Sequence, residues 1–222
     1  MPLPIWNGRA GKAKYVRLAI AFAWPEPYVK TMKLSDPTSG YLSSQLLIAM
    51  PTMQDPRFAR TIVYLCAHSA EGAMGLVINR LLDQLTFPEL LEQVGIKATR
   101  PEPDRRVHFG GPVESGRGFV LHTCDFRTDG TLVVDNAIAL TASVDILKAI
   151  AQGRGPRKSL LALGYAGWGP GQLEQEMRDS GWLHVQSDEA LVFDGKLDTK
   201  CARAIGKLGA DPSMLSASVG HA

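Results

Sequence analysis

The chain has 222 residues, 45% hydrophobic and 21% charged, which suits a soluble globular protein with a sizeable core and excludes a disordered or fibrous one. Its 24 basic and 22 acidic side chains leave a net charge of +2, which excludes the strongly basic body of a protein that binds nucleic acid through phosphates. Three cysteines exclude a disulfide framework and fit a reducing, cytoplasmic compartment. No apolar run approaches the roughly 20 residues that span a bilayer, so no membrane association is expected.

Residues 1–40 differ from the rest: Pro2, Pro4, Pro25, Pro27 and Pro37 interrupt any period, and the bases Arg9, Lys12, Lys14, Arg17 and Lys30 face one acid, Glu26, before Thr31. Without those residues 19 basic and 21 acidic groups remain, a slightly acidic body at −2. The stretch reads as a disordered leader, or as the product of a misplaced start with Met32 as the true one. The folded domain is expected over residues 41–222.

From Ser44 the pattern becomes regular. Short aliphatic runs bounded by Gly, Pro, Asn or Asp predict strands over Gln45–Met50, Thr61–His68, Ala73–Asn79, Arg106–Phe109, Gly118–Cys124, Thr131–Val134, Ser159–Leu163, Trp182–Gln186 and Ala190–Phe193. The short link His68-Ser-Ala-Glu-Gly72 predicts a hairpin between the second and third. Between the first two strands, Met50-Pro51 and Asp55-Pro56 force a non-helical loop. Helices are predicted after Thr86, where Thr86-Phe-Pro-Glu89 resembles a capping box, over Ser143–Gln152, over Gln172–Ser180, and from a cap at Asp198 with Ala202, Ile205 and Leu208 inside. Strands outnumber helices without βαβ alternation. The fold class is therefore α+β, a single domain with a mixed or antiparallel sheet.

Four groups of residues carry possible chemistry. Cys66 and His68 share one face of a strand, and His122 and Cys124 share a face of another; on neighbouring strands the four would form a zinc set. The same pairs offer a thiol activated by imidazole, with Asp125 on the opposite face and no orienting group evident. Packing as small buried groups is the preferred reading of both. The segment His108–His122 holds Gly110, Gly111, Gly116 and Gly118 around Arg117, either a ligand-cradling loop or a tight connection between strands, the latter preferred. The run Leu163-Gly-Tyr-Ala-Gly-Trp-Gly-Pro-Gly-Gln172 leads from a strand into a helix, a phosphate-binding position in many folds. Here Glu174 and Glu176 occupy the first turn and repel a phosphate, so Tyr165 and Trp168 are read as packing or partner-contact groups. Gly110, Gly111, Arg117, His122, Tyr165 and Trp168 are the candidate ligand-binding residues. No catalytic residues, no cofactor and no basic recognition helix are evident, so direct DNA binding is not expected.

Four segments together resemble the YqgE/AlgH family. They are Leu46–Phe58 with Val63–His68; Gly72-Ala-Met-Gly-Leu-Val-Ile-Asn-Arg80; Gly110-Gly-Pro-Val113 through Gly118-Phe-Val-Leu-His122; and Ala162-Leu-Gly-Tyr-Ala-Gly-Trp168 through Gly171-Gln-Leu-Glu-Gln-Glu176. The resemblance runs from about Leu46 to the closing Gly220-His-Ala222. It implies one α+β domain with a sheet partly curled into a barrel and flanked by helices. It also implies a cytosolic bacterial protein without an agreed catalytic site, in a family whose members are described as transcriptional regulators on the basis of phenotype. Two departures stand out: the long leader, and Leu81 where the family often has proline. The expected function is that of a non-enzymatic regulatory or interaction protein with a protein partner. The alternative is a small-molecule or nucleotide-binding protein using loops 110–118 and 164–171.

Overall fold

The computed structural model describes residues 41–97 and 105–209; the leader, the Pro-rich connector beginning at Arg100 and the closing Gly220-His-Ala222 lie outside them. Among the described residues ten strands form one sheet: β1 Gln45–Ala49, β2 Ile62–Ser69, β3 Gly72–Val77, β4 Leu81–Thr86, β5 Arg106–Phe109, β6 Val113–Thr123, β7 Thr131–Val133, β8 Ile138–Thr141, β9 Ser159–Trp168 and β10 Trp182–Gln186. Along the main path the order is β10-β1-β2-β3-β9-β6-β8-β7, with β4 and β5 attached through β9. Every pairing is antiparallel except β5 with β9. The predicted hairpin is present, with Ser69 opposite Gly72.

Strand β9 ties the sheet together. Leu161–Leu163 pair with β5, Ser159–Leu163 pair with β6, and Ala166–Trp168 pair with β3. The change of partner falls at Gly164, whose φ of +73° a residue with a side chain rarely adopts. The same residue shifts the facing of the strand. Leu160, Ala162 and then Tyr165 face the inner core, whereas Leu161 and Leu163 face one outer core and Ala166 and Trp168 another. A regular strand alternates with period two, so the step from Ala162 to Tyr165 marks the irregularity.

The curled sheet thus has three cores. The inner one alternates along β1 to β3 through Leu46, Ile48, Ile62, Tyr64, Met74 and Leu76, and is closed by helices α4 (Glu189–Phe193) and α5 (Leu197–Gly206). One outer core lies under α1 (Phe87–Gln93) and α2 (Val144–Ala151); the other lies under α3 (Gln172–Arg178). The α+β class, single domain and barrel-like curl are as expected.

Local signals explain most elements. Thr86 and Glu89 form the predicted capping box: Glu89 Oε2 accepts from the Thr86 amide at 2.8 Å and Thr86 Oγ1 accepts from the Glu89 amide. Three expectations differ. Ala190–Phe193 is helical rather than a strand, because Asp188 accepts from the Leu191 amide at 2.6 Å and starts a turn that lays Leu191 and Val192 onto the inner core. Asp198 sits inside the first turn of α5 and does not cap it, and Leu208 lies beyond the end of that helix, 45% exposed. Two strands went unpredicted: β4, which begins at the departing residue Leu81, and β8.

Candidate functional site

The two glycine-rich segments meet. Gly111 and Gly164 lie backbone against backbone, since a Cβ on either would fall on the other's neighbourhood: on the Tyr165 carbonyl in one case and on the Gly111 oxygen in the other. Val113 pairs with Tyr165 and Gly118 with Leu163, so four residues of β6, Glu114 to Arg117, bulge out against Gly164 alone. In that bulge Glu114 has a φ of +45° and forms an ion pair with Arg117. The Tyr165 hydroxyl donates to the same carboxylate at 3.4 Å. Arg117 is thus tied into the bulge, and Gly110 and Gly111 are buried as spacers.

Beside this junction runs a groove of about 490 Å³, lined on one side by Pro112 and Val113 and on the other by Gly167, Trp168 and Gln172. Both glycine segments therefore border one concave space. Its third wall is the Pro-broken loop after β1, through Thr52, Asp55, Arg57 and Phe58; its fourth is the end of α3 with Trp182. Phe58, Trp168 and Trp182 form a mutual aromatic cluster with ring centroids 5.5–6.4 Å apart, within the range of favourable edge and offset contacts.

Glu176 organises this wall. Its Oε2 accepts from the Trp168 indole N–H at 2.9 Å and the Trp182 indole N–H at 2.8 Å, while Oε1 accepts from Gln172 at 2.8 Å. Both indoles are almost fully buried, and a buried N–H needs an acceptor. One carboxylate thereby fixes two aromatic planes at the groove. The lining carries Asp55, Glu176 and Asp179 against Arg57 alone among its bases, an excess of two negative charges. Asp55 is held below the usual carboxylate range by the Arg57 guanidinium that bonds it. The loop entering α3 also spends its amide, since the Gly169 N–H donates to Gln172 Oε1 at 3.0 Å.

The other candidates lie elsewhere. Strands β2 and β6 are separated by β3 and β9, so the neighbouring-strand arrangement for a shared zinc site is not formed. Among the described residues no group of three or more His, Cys, Asp or Glu side chains is placed to hold a metal ion. Cys66 is buried in the inner core with its thiol pushed up by burial. Cys124, also raised by burial, donates towards the Asp135 carbonyl. A raised thiol is the reverse of what a nucleophile requires. His68 accepts from the Leu42 amide on Nδ1, so its Nε2–H donates to Glu174 at 2.9 Å. His122 is fully buried, with Nδ1–H donating to the Thr123 carbonyl and Nε2 accepting from Thr141, both at 2.9 Å. Neither ring has a nitrogen left for a metal or a thiol.

His122 and the half-buried His108 of β5 have a consequence for pH. Burial lowers His108 to about 4 and lowers His122 as well. An unfolded chain takes up those protons near 6.5, while the folded chain resists. Stability is therefore complete above about pH 6.5 and falls as pH drops towards 4, by roughly 2–3 kcal/mol for His108 alone. Denaturant titrations of the parent and of His108→Gln across that window check this; the variant's curve is expected to be flatter.

Sequence reasoning missed Glu176 as an organiser, although a Glu eight residues after one Trp and six before another was visible. It also missed Phe58, because nothing local shows that the loop after β1 folds back over β9 and β10.

The family model described as AlgH-like matches residues 46–213. A UPF0301 protein of Rhodospirillum rubrum is 55% identical over 183 residues, covering 82% of this chain and 95% of that one. A UPF0301 protein of Rhodopseudomonas palustris is 56% identical over 191 residues, covering 82% and 87%. The solution structure of AlgH from Pseudomonas aeruginosa superposes with a TM-score of 0.68 at 46% identity, covering 86% of this chain and all of that one. A Corynebacterium diphtheriae protein shares the fold at a TM-score of 0.55 and 19% identity. Among the described residues no helix is long and apolar enough to cross a membrane.

Proposed function

The chain belongs to the AlgH-like family, and from that premise and the groove we propose that it is a cytoplasmic, non-enzymatic regulatory protein that acts by docking a basic peptide segment of a partner protein. The observation that carries this reading is the convergence of both glycine-rich segments on one groove with aromatic walls and three carboxylates against one guanidinium. The half-buried Phe58 ring offers a surface to an apolar stem, with the two indoles packed behind it, and the negative lining favours Lys or Arg over a phosphate. The buried imidazoles and raised thiols support a role without covalent or acid–base chemistry. The negative groove and the occupied Gly169 amide weigh against the nucleotide alternative and against direct contact with DNA.

The test is selection of displayed random peptides on the folded protein, followed by titration of an enriched peptide by tryptophan emission. Enriched sequences are expected to carry Lys or Arg beside apolar residues, with binding weakened several-fold by added salt and by Asp179→Asn. Enrichment of acidic sequences, or binding indifferent to salt and to Asp179, would contradict the proposal.

A further inference from the structure

A second cavity, about 770 Å³, lies across the Met50–Arg60 loop from the groove, between that loop, the end of β1 and α5. Its volume is in the range of small-molecule sites. The walls are mainly apolar, through Ile48, Met50, Met53, Leu197 and Ile205. Two opposite charges stand among them, Arg60 from the loop and Asp198 from the first turn of α5. Among the described residues neither has an ion-pair partner.

Arg60 is also held in an unusual backbone conformation. Its φ is +60°, rare for a residue with a long side chain. The conformation is pinned through the Arg60 carbonyl, which accepts from Asn79 Nδ2 at 2.9 Å and from the Cys201 thiol at 3.4 Å. Asn79 is itself fixed, its Oδ1 accepting from the Ile62 amide at 2.8 Å. Strain of this kind persists where surrounding contacts over-determine it, and it clusters at ligand sites.

We propose that this cavity binds a small apolar zwitterion, an amino acid or dipeptide with an apolar side chain. Arg60 receives the carboxylate, Asp198 the ammonium, and the apolar body lies among Met50, Met53 and Ile205. A simple anion would meet repulsion from Asp198, and a simple cation from Arg60. A neutral apolar molecule would desolvate both charges without pairing either. A zwitterion matches both. The site is separate from the peptide-docking groove, and its test stands whether or not that groove binds peptides.

The experiment is calorimetric titration and thermal shift with leucine, methionine and leucyl-leucine, alongside 4-methylpentanoate and isopentylamine, which keep one charge each. The zwitterions are expected to bind and raise the melting temperature, and the relative response of leucine and leucyl-leucine tells amino acid from dipeptide. The single-charge analogues, and the variants Arg60→Asn and Asp198→Asn, are each expected to bind at least about tenfold more weakly. Asparagine tolerates the left-handed backbone, so Arg60→Asn keeps the loop conformation; Asp198→Asn, at an exposed helical position, gives a second reading if it does not. No binding of any zwitterion at millimolar concentration would overturn the proposal. So would a monoanion that binds as well as leucine, or affinities unchanged in both variants.

Discussion

Replacing Gly111 by alanine is expected to cost about 3–5 kcal/mol, a large share of the stability of a domain this size. The added Cβ would stand under 3.0 Å from the Tyr165 carbonyl carbon and oxygen and the Ala166 amide, all of them backbone atoms that cannot swing aside. Relief requires β6 and β9 to separate where Val113 pairs with Tyr165. That contact joins the inner core to the outer core under α3, since Tyr165 belongs to the first and Ala166 to the second. The loss is therefore cooperative rather than local. Gly206→Ala is the control: it lies in α5 with nothing within 4 Å of the added methyl, and it is expected to gain about 0.5 kcal/mol from reduced backbone entropy. Urea titration of the two variants checks the contrast. A Gly111→Ala protein as stable as the parent would mean the loops are not in contact.

Removing the Glu176 carboxylate gives the second large effect. In Glu176→Leu two indole N–H groups, on residues 3% and 4% exposed, lose their acceptor at once. Each unsatisfied buried donor costs about 1–3 kcal/mol, so the variant is expected to lose about 2–5 kcal/mol. Glu176→Gln retains one oxygen for the indoles but sets its amide against that of Gln172, which now donates to Oε1. If Gln172 turns its own oxygen to meet it, the Gly169 amide loses its partner. A loss of about 1 kcal/mol is expected there. The Leu variant should also red-shift the tryptophan emission as the freed indoles turn towards water, whereas the Gln variant should not. Equal stability of the two would mean that Glu176 does not hold the indoles.

Much of the fold was legible because short-range chemistry decided it. The Thr86–Glu89 box, the Ser69–Gly72 hairpin and the short aliphatic runs of β1 to β3 each follow from neighbouring residues. The failures lie where distant contacts overrode a local pattern. Ala190-Leu-Val-Phe193 reads as a strand by composition, yet Asp188 and the inner core make it a helix. Leu81-Leu-Asp-Gln-Leu85 lacks β-branched residues and becomes a strand through β5. The site shows the same division. The two glycine segments read as turns between elements, whereas Gly164 to Trp168 continue β9 and Gly116 to Gly118 lie within β6; their meeting depends on β9 changing partners at Gly164. The zinc grouping failed because pairing order along a sheet is not written in i, i+2 spacing, and two strands came between β2 and β6.

The most direct measurement is a nitrogen–proton NMR titration of the folded protein with a basic peptide obtained by selection, following the side-chain N–H signals of Trp168 and Trp182. Both indoles are anchored on one carboxylate at the groove, so their signals should move together and saturate with the backbone amides of Val113 and Gly167. The amides of α2, which belongs to the other outer core, should stay in place. Saturating shifts confined to α2, or a bound peptide that leaves both indole signals unmoved, would contradict the assignment of this groove as the docking surface.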